Sequence, residues 1–252
     1  MRKVTTALLC AFVLLAFAGC NGNTQKTGDF SFHDNSAQST QNQNGTEQNN
    51  PGQDDVYQSA ADSKQEEDSK TLIAYFSRVG NTDFPAGADV TASASLIVKD
   101  GGLYGNTQYI ATMIQRATGG DLFLIETEEK YPADYDATGR QGAKESKEKS
   151  RPELASHIEN INEYDTVYLG FPNWYYGMPM AVYSFLEEYN LSGKTIIPFV
   201  TSGGSGFSDT IPEIQSIQPD ATVLSEGFKV THSKVSDVTF EDVEEWINGL
   251  NK

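Results

Sequence analysis

Cysteine is nearly absent from this chain. Of 252 residues only Cys10 and Cys20 carry a thiol, both within the first twenty positions, so the rest can form no disulfide, thiolate nucleophile or cysteine metal site. Histidine is as scarce. His33, His157 and His232 stand far apart, without the close spacing that a metal-ligand set shows. Lysine and arginine number 18 against 35 aspartates and glutamates, a formal charge of −17. That balance argues against a nucleic-acid role, because affinity for a phosphate backbone rests on clustered cations. It suits a basic partner or a neutral small molecule, or serves solubility alone. Long apolar runs are missing too. The stretch from Ala7 to Ala18 falls short of the roughly twenty residues that cross a bilayer as a helix.

What the N-terminal stretch does have is the shape of a secretory signal. Met1-Arg2-Lys3 supplies charge, the apolar run follows, and Gly19-Cys20 ends it with small residues. Phe17-Ala18-Gly19-Cys20 also resembles a bacterial lipobox, with Phe17 where that pattern prefers Leu. The resemblance implies a lipoprotein signal peptide over residues 1–20, lipidation at Cys20, and an extracytoplasmic protein anchored to the bacterial cell membrane. The alternative is an ordinary secreted protein with a cysteine beside the cut. Residues 21–69 are rich in Asn, Gln, Ser, Thr, Gly and Asp, with Tyr57 among few large apolar side chains. Such a segment cannot bury enough surface to offset its ordering entropy, so the composition predicts a disordered polar tether. As a random coil it would span about 40 Å. The ~180 residues of 70–252 suffice for one domain with a substantial core.

That remainder alternates. Apolar runs suited to strands buried on both faces occur at Thr71–Phe76, Leu122–Ile125, Thr166–Phe171, Thr195–Val200 and Ala221–Leu224. Between them, helical patterns run over Thr107–Ala117, part of Ala133–Lys149 together with Pro152–Ile161, Met178–Tyr189 and Ser208–Ile217. A last helix is expected over Phe240–Leu250, where Thr239 and Asp242 approach a capping box. Strand and helix alternating about five times calls for a parallel sheet with helices on both faces. Ligands of such sheets bind outside the carboxyl ends of the strands, near the point where strand order reverses.

The loops at those ends carry the informative residues. Ser77-Arg78 and a Gly-Asn-Thr run follow the first strand; Phe171-Pro-Asn-Trp-Tyr-Tyr-Gly-Met-Pro-Met180 follows the third; Thr201-Ser-Gly-Gly-Ser-Gly-Phe-Ser208 follows the fourth. Small residues near a helix start suit an anion. Trp174, Tyr175 and Tyr176 offer faces to a flat ring, and the glycines let backbone approach its edge. Ala74–Thr82, Gly170–Pro179 and Thr201–Gly206 resemble the three cofactor loops of flavodoxin-like proteins. The resemblance implies a flavodoxin-like α/β three-layer sandwich, a five-stranded parallel sheet in the order 2-1-3-4-5, and non-covalent FMN. It implies that Ser77, Asn106 and Thr107 hold the phosphate, and the residues themselves add Arg78 at the strand end and Gly105 at the helix start as candidates. Pro172, Asn173, Trp174 and Tyr175 would line one side of the ring, and Thr201, Ser202, Gly203, Gly204 and Gly206 the other.

The chain departs from that pattern at one place. Gly80-Asn81-Thr82 cannot lead straight into a helix, because Pro85 disfavours helix at Phe84 and glycines flank it. A second copy, Gly105-Asn106-Thr107, runs directly into an apolar helical pattern and is the expected anion-binding helix start. Between the copies, an insertion at about 79–104 contains a hairpin pattern, Ser95–Val98 and Leu103–Tyr104 around a glycine turn. It would serve as a partial lid over phosphate or ring, or as a surface decoration.

On this reading the protein is a membrane-tethered FMN protein in electron transfer, as a carrier or as a reductase of a quinone-type acceptor. The flavin does the chemistry, stacking aromatics and nearby acids lower its potential, and no side chain need act as nucleophile or base. The redox partner is unknown, and a nicotinamide donor lacks a G-x-G-x-x-G motif. A non-redox ligand-binding lipoprotein on the same fold is the alternative from another class. A hydrolase built on Ser205 and His232 fits poorly, since Gly203 matches a nucleophile elbow but Phe207 does not.

Overall fold

The computed structural model describes residues 70–85, 95–99 and 101–250. The expected signal segment, the expected tether with Cys20 before it, and part of the expected insertion lie outside the described residues. Strand β1 (Lys70–Tyr75) leads to a four-residue turn α1 (Arg78–Asn81), a hairpin of β2 (Leu96–Lys99) and β3 (Gly102–Gly105), and helix α2 (Asn106–Thr118). Then come β4 (Asp121–Leu124), α3 (Tyr135–Glu148), β5 (Tyr164–Pro172), α4 (Met180–Glu188), β6 (Thr195–Ser202) and α5 (Thr210–Ile217). Two short strands, β7 (Thr222–Val223) and β8 (Phe228–Thr231), precede α6 (Phe240–Leu250).

The main sheet has the order β4-β1-β5-β6-β7, and β8 also pairs with β6. Every one of these pairings is parallel, so this is the expected 2-1-3-4-5 arrangement with its fifth place divided. β7 pairs with the start of β6 at Thr195 and Ile196, and β8 with its end from Phe199 to Ser202. The sequence pattern at Phe228–Thr231 is only four residues long and was not among the expected strands. Alternation places each side chain. Leu72, Ala74, Phe76, Val167, Leu169 and Phe171 enter the core under α4 and α5, whereas Ile73, Tyr75 and Tyr168 face the core under α2 and α6. Gly170 leaves room for Phe199, whose ring lies 2.0 Å from where a Cβ would stand.

One expected helix does not form. Residues 152–161 are irregular except for a 3-10 turn that begins at Ile161, because their backbone pairs with the segment after β4: Glu128 N donates to Glu153 O at 3.0 Å and Ala155 N to Glu126 O at 2.8 Å. The C-terminal helix begins where expected. Thr239 N donates to Asp242 Oδ2 at 2.8 Å, and Asp242 N to Thr239 Oγ1 at 3.2 Å, a reciprocal cap.

Candidate functional site

The two Gly-Asn-Thr runs have different jobs. In the first, Val79 and Gly80 leave helical geometry, Gly80 with φ of 95°, so the chain makes one broken turn and no helix. Asn81 is completely buried. Its Nδ2 donates to Ser77 O and Ile125 O at 2.9 Å each, while its Oδ1 accepts from Thr127 N at 2.8 Å and Thr127 Oγ1 at 3.0 Å. This asparagine is a staple between the loops after β1 and β4. The second copy opens α2, with Gly105 as the residue before the helix and its N–H donating to Gln108 Oε1 at 3.1 Å.

Folding nevertheless brings both loops together. A Cβ on Gly105 would lie 1.8 Å from Ser77 Oγ and 3.1 Å from Ser77 Cβ, so the serine hydroxyl occupies the space that only glycine leaves. That hydroxyl is buried and has no hydrogen-bond partner in the protein, a costly state for a polar atom unless a ligand satisfies it. Thr107 Oγ1 lies 3.0 Å from Thr201 Oγ1, tying the start of α2 to the end of β6. The Asn106 amide donates to Ser95 O at 2.8 Å, which takes one helix-terminal donor out of use and leaves those of the following residues.

Beside this junction lies a cleft of about 450 Å³. Of the expected residues, Arg78, Pro172, Asn173, Trp174, Tyr175, Thr201, Ser202, Gly203 and Gly204 line it; Ser77, Gly105, Asn106, Thr107 and Gly206 do not. The first four of these stand behind its wall, joined to it through Thr201 and Ser95. Gly206 supports it instead, donating N–H to Ser202 Oγ at 3.0 Å and accepting from Asn173 Nδ2 at 2.8 Å. Arg78 is buried, and its Nη2 donates to Pro132 O at 3.0 Å and Ala133 O at 2.9 Å. Burial lowers its pKa, with Asp134 and Tyr135 opposing, yet guanidinium keeps its charge at any ordinary pH.

The aromatic loop is a tight turn. Trp174 and Gly177 exchange backbone hydrogen bonds of 2.9 Å in both directions, around Tyr175 and Tyr176 at φ of 53° and 65°. Two non-glycine residues in left-handed geometry cost of order 1 kcal/mol each, a strain that clusters at functional positions. Trp174 is held edge-on against Phe76 at 5.3 Å and Tyr131 at 5.4 Å. Across the cleft, the glycine loop sends no aromatic side chain in, and open space adjoins Gly203 and Gly204.

Sequence reasoning missed Ser95, Tyr135, Thr138, Gly139 and Ser205 as lining residues, and it placed Tyr176 among the ring-facing aromatics without assigning it to the site. A signal for one of them, Gly139, existed. Gly139 and Gly142 are three apart and share a face of α3. Tyr175 Oη donates to Gly139 O at 2.6 Å, and a Cβ at 142 would come within 3.1 Å of the Trp174 ring. Ser205 lines the cleft but His232 does not, so the pair expected of a hydrolase is not gathered there. No group of three His, Cys, Asp or Glu side chains among the described residues could hold a metal ion.

Fold and site together define a doubly wound α/β protein with an aromatic-lined cleft at the carboxyl ends of its strands, beside the start of α2. Comparison with known proteins agrees. A family model described as Flavodoxin matches residues 95–250. A solved protein from Bacteroides uniformis, described as a flavoprotein, is 30% identical over 71% of this chain and 98% of its own, with a TM-score of 0.54. One from Bacteroides eggerthii, described likewise, is 26% identical over 73% of this chain and 99% of its own, also at 0.54. A comparison with curated proteins finds no match. The chain belongs to the flavodoxin family.

Proposed function

We propose that the cleft holds FMN and that the protein transfers electrons through it. Family membership makes FMN the cofactor to test first, and the observation that carries the fit is the buried, unpartnered Ser77 hydroxyl against Gly105. When bound, FMN supplies one- and two-electron chemistry that no side chain can. The chain's own residues bind and orient it. Ser77, Gly105, Asn106 and Thr107 form the phosphate end, with the helix-terminal amides after Asn106 and the α2 dipole and the Arg78 charge close by. Pro172, Asn173, Trp174 and Tyr175 form one side of the ring site, with Thr201, Ser202, Gly203, Gly204 and Gly206 opposite.

The open space beside Gly203 and Gly204 leaves the cleft accessible to a small flat acceptor of the quinone type. The signal-like leader and Cys20 support an extracytoplasmic, membrane-tethered location. The test is titration of the protein with FMN and with riboflavin. Flavin fluorescence should be quenched on binding, and Arg78→Gln should weaken FMN about tenfold while leaving riboflavin unchanged, the loss expected for one charge-assisted contact to phosphate. Absence of FMN binding would refute the proposal. Anaerobic reduction followed by a quinone then tests the acceptor, with failure of reoxidation pointing to a pure carrier.

A further inference from the structure

Behind the cleft lies a second cavity of about 400 Å³, lined by Glu128, Tyr131, Gln141, Glu145, Arg151 and Glu153 among others. Tyr131 stands between the two. Its side chain is 2% exposed, and its ring meets Trp174 edge-on at 5.4 Å and Phe76 at 5.7 Å. Trp174 lines the cleft. On the other side Tyr131 Oη donates to Glu145 Oε2 at 2.9 Å, and Glu145 Oε1 accepts from Gln141 Nε2 at 2.9 Å. An unbroken run of contacts therefore leads from the cleft through an indole and a phenol to a carboxylate on the second cavity.

Where thiols are absent, indole and phenol are among the most readily oxidised side chains. A phenol gives up an electron easily only if its proton leaves with it, so it needs an acceptor within hydrogen-bond reach. Tyr131 has one. The other indole offers a contrast within the same molecule: Trp246 meets Tyr168 edge-on at 5.8 Å, and among the described residues no carboxylate partners the Tyr168 hydroxyl. Burial, reinforced by Glu145, raises the Tyr131 pKa above a tyrosine's ordinary value, so the phenol keeps its proton until oxidation.

We propose that Trp174, Tyr131 and Glu145 form a relay that carries one-electron oxidising equivalents out of the cleft to the second cavity. A one-electron oxidant of the peroxyl-radical class that reaches the cleft takes an electron from Trp174 and, with a proton from water, leaves as the hydroperoxide. Tyr131 returns an electron to the indole and passes its phenolic proton to Glu145, leaving a neutral tyrosyl radical and a protonated carboxyl. A neutral hydrogen-atom donor of the hydroquinone class in the second cavity restores Tyr131 with one electron and one proton, and Glu145 releases its proton to water. The oxidant reaches the cleft from solution, so the relay does not rest on the proposed electron-transfer role. Its effect is to keep an oxidised indole from persisting in the cleft.

Pulse radiolysis with the azide radical, which oxidises indole selectively, tests it on the full-length FMN-loaded protein carrying Trp246→Phe, where Trp174 is the remaining indole. The indolyl radical should decay into a tyrosyl radical by a step independent of protein concentration and slower in D2O. Tyr131→Phe should abolish that step while keeping the ring contact, and Glu145→Gln should slow it. Tyr183→Phe, which removes a hydroxyl bonded to Glu213, should leave it unchanged. An unaltered step in Tyr131→Phe overturns the relay. If Trp246→Phe does not fold, the difference between the natural protein and Tyr131→Phe reads the same step. The measurement also runs on cofactor-free protein, so a failure to bind FMN counts against the proposed function and not against the relay.

Discussion

Gly105→Ala is the sharpest perturbation of the split phosphate junction. The backbone at 105, φ −72° and ψ 143°, accepts alanine without strain. The added methyl would instead sit 1.8 Å from Ser77 Oγ, and real Cβ contacts stay beyond 3.0 Å, so the hydroxyl must retreat by more than an ångström. Rotating Ser77 removes that clash but leaves its Cβ at 3.1 Å, which still presses the two loops apart. The protein itself loses little, because the hydroxyl has no internal partner to give up. A phosphate would lose a charge-assisted hydrogen bond worth about 1.5–3 kcal/mol, or roughly ten- to hundredfold in the Kd for FMN at 1.4 kcal/mol per decade. Quenching of FMN fluorescence measures the loss, with riboflavin as the phosphate-free control. An FMN affinity within twofold of the natural protein's would show that the junction does not hold the phosphate.

Asn81→Ala should act on stability instead. It strips four hydrogen bonds from buried partners and should cost about 2–4 kcal/mol, read by denaturant unfolding; a change under 0.5 kcal/mol would mean the staple is replaceable. Tyr176 is 76% exposed at φ 65°, and asparagine tolerates that geometry better. Tyr176→Asn should therefore gain about 0.5–1 kcal/mol, and a loss would show that the tyrosine ring holds the turn. Burial pushes Tyr168 up to about 12 from 10.0 and raises Tyr131 further, with Glu145 adding to burial. A raised folded pKa gives stability that is complete below the unfolded value and is lost as pH climbs through the folded one. Stability should thus fall from about pH 10 upward. Ultraviolet titration should show these tyrosines ionising only as the fold gives way, and ordinary titration of all twelve tyrosines in the native state would contradict the burial argument.

Much of the fold was legible along the chain because burial on two faces leaves a local trace. The runs at Thr71–Phe76, Thr166–Phe171 and Thr195–Val200 are apolar enough to be central parallel strands, and they became β1, β5 and β6. Asp242 three places after Thr239 marked a helix start that the cap hydrogen bonds bear out. Pro85 and the apolar pattern after Asn106 together showed which Gly-Asn-Thr opens a helix. Where local pattern and distant partner conflict, the trace misleads. Pro152–Ile161 has a helical pattern, but its backbone finds partners beside Glu126 and Glu128.

The sequence by itself determined the alternation of strand and helix, the three loops at the strand ends, and the lack of thiols in the folded part. Those properties follow from composition and spacing along one stretch at a time. Only the tertiary structure decided that Ser77 meets Gly105 across the insertion, that Asn81 is a buried staple, that Gly139 and Gly142 seat the aromatic turn, and that Tyr131 joins the cleft to a second cavity. Each is a contact between residues that are distant along the chain, except for the glycine pair, whose partner is. Such contacts exist only once the sheet has set the loops side by side, and no local preference encodes which polar atom will be left without a partner.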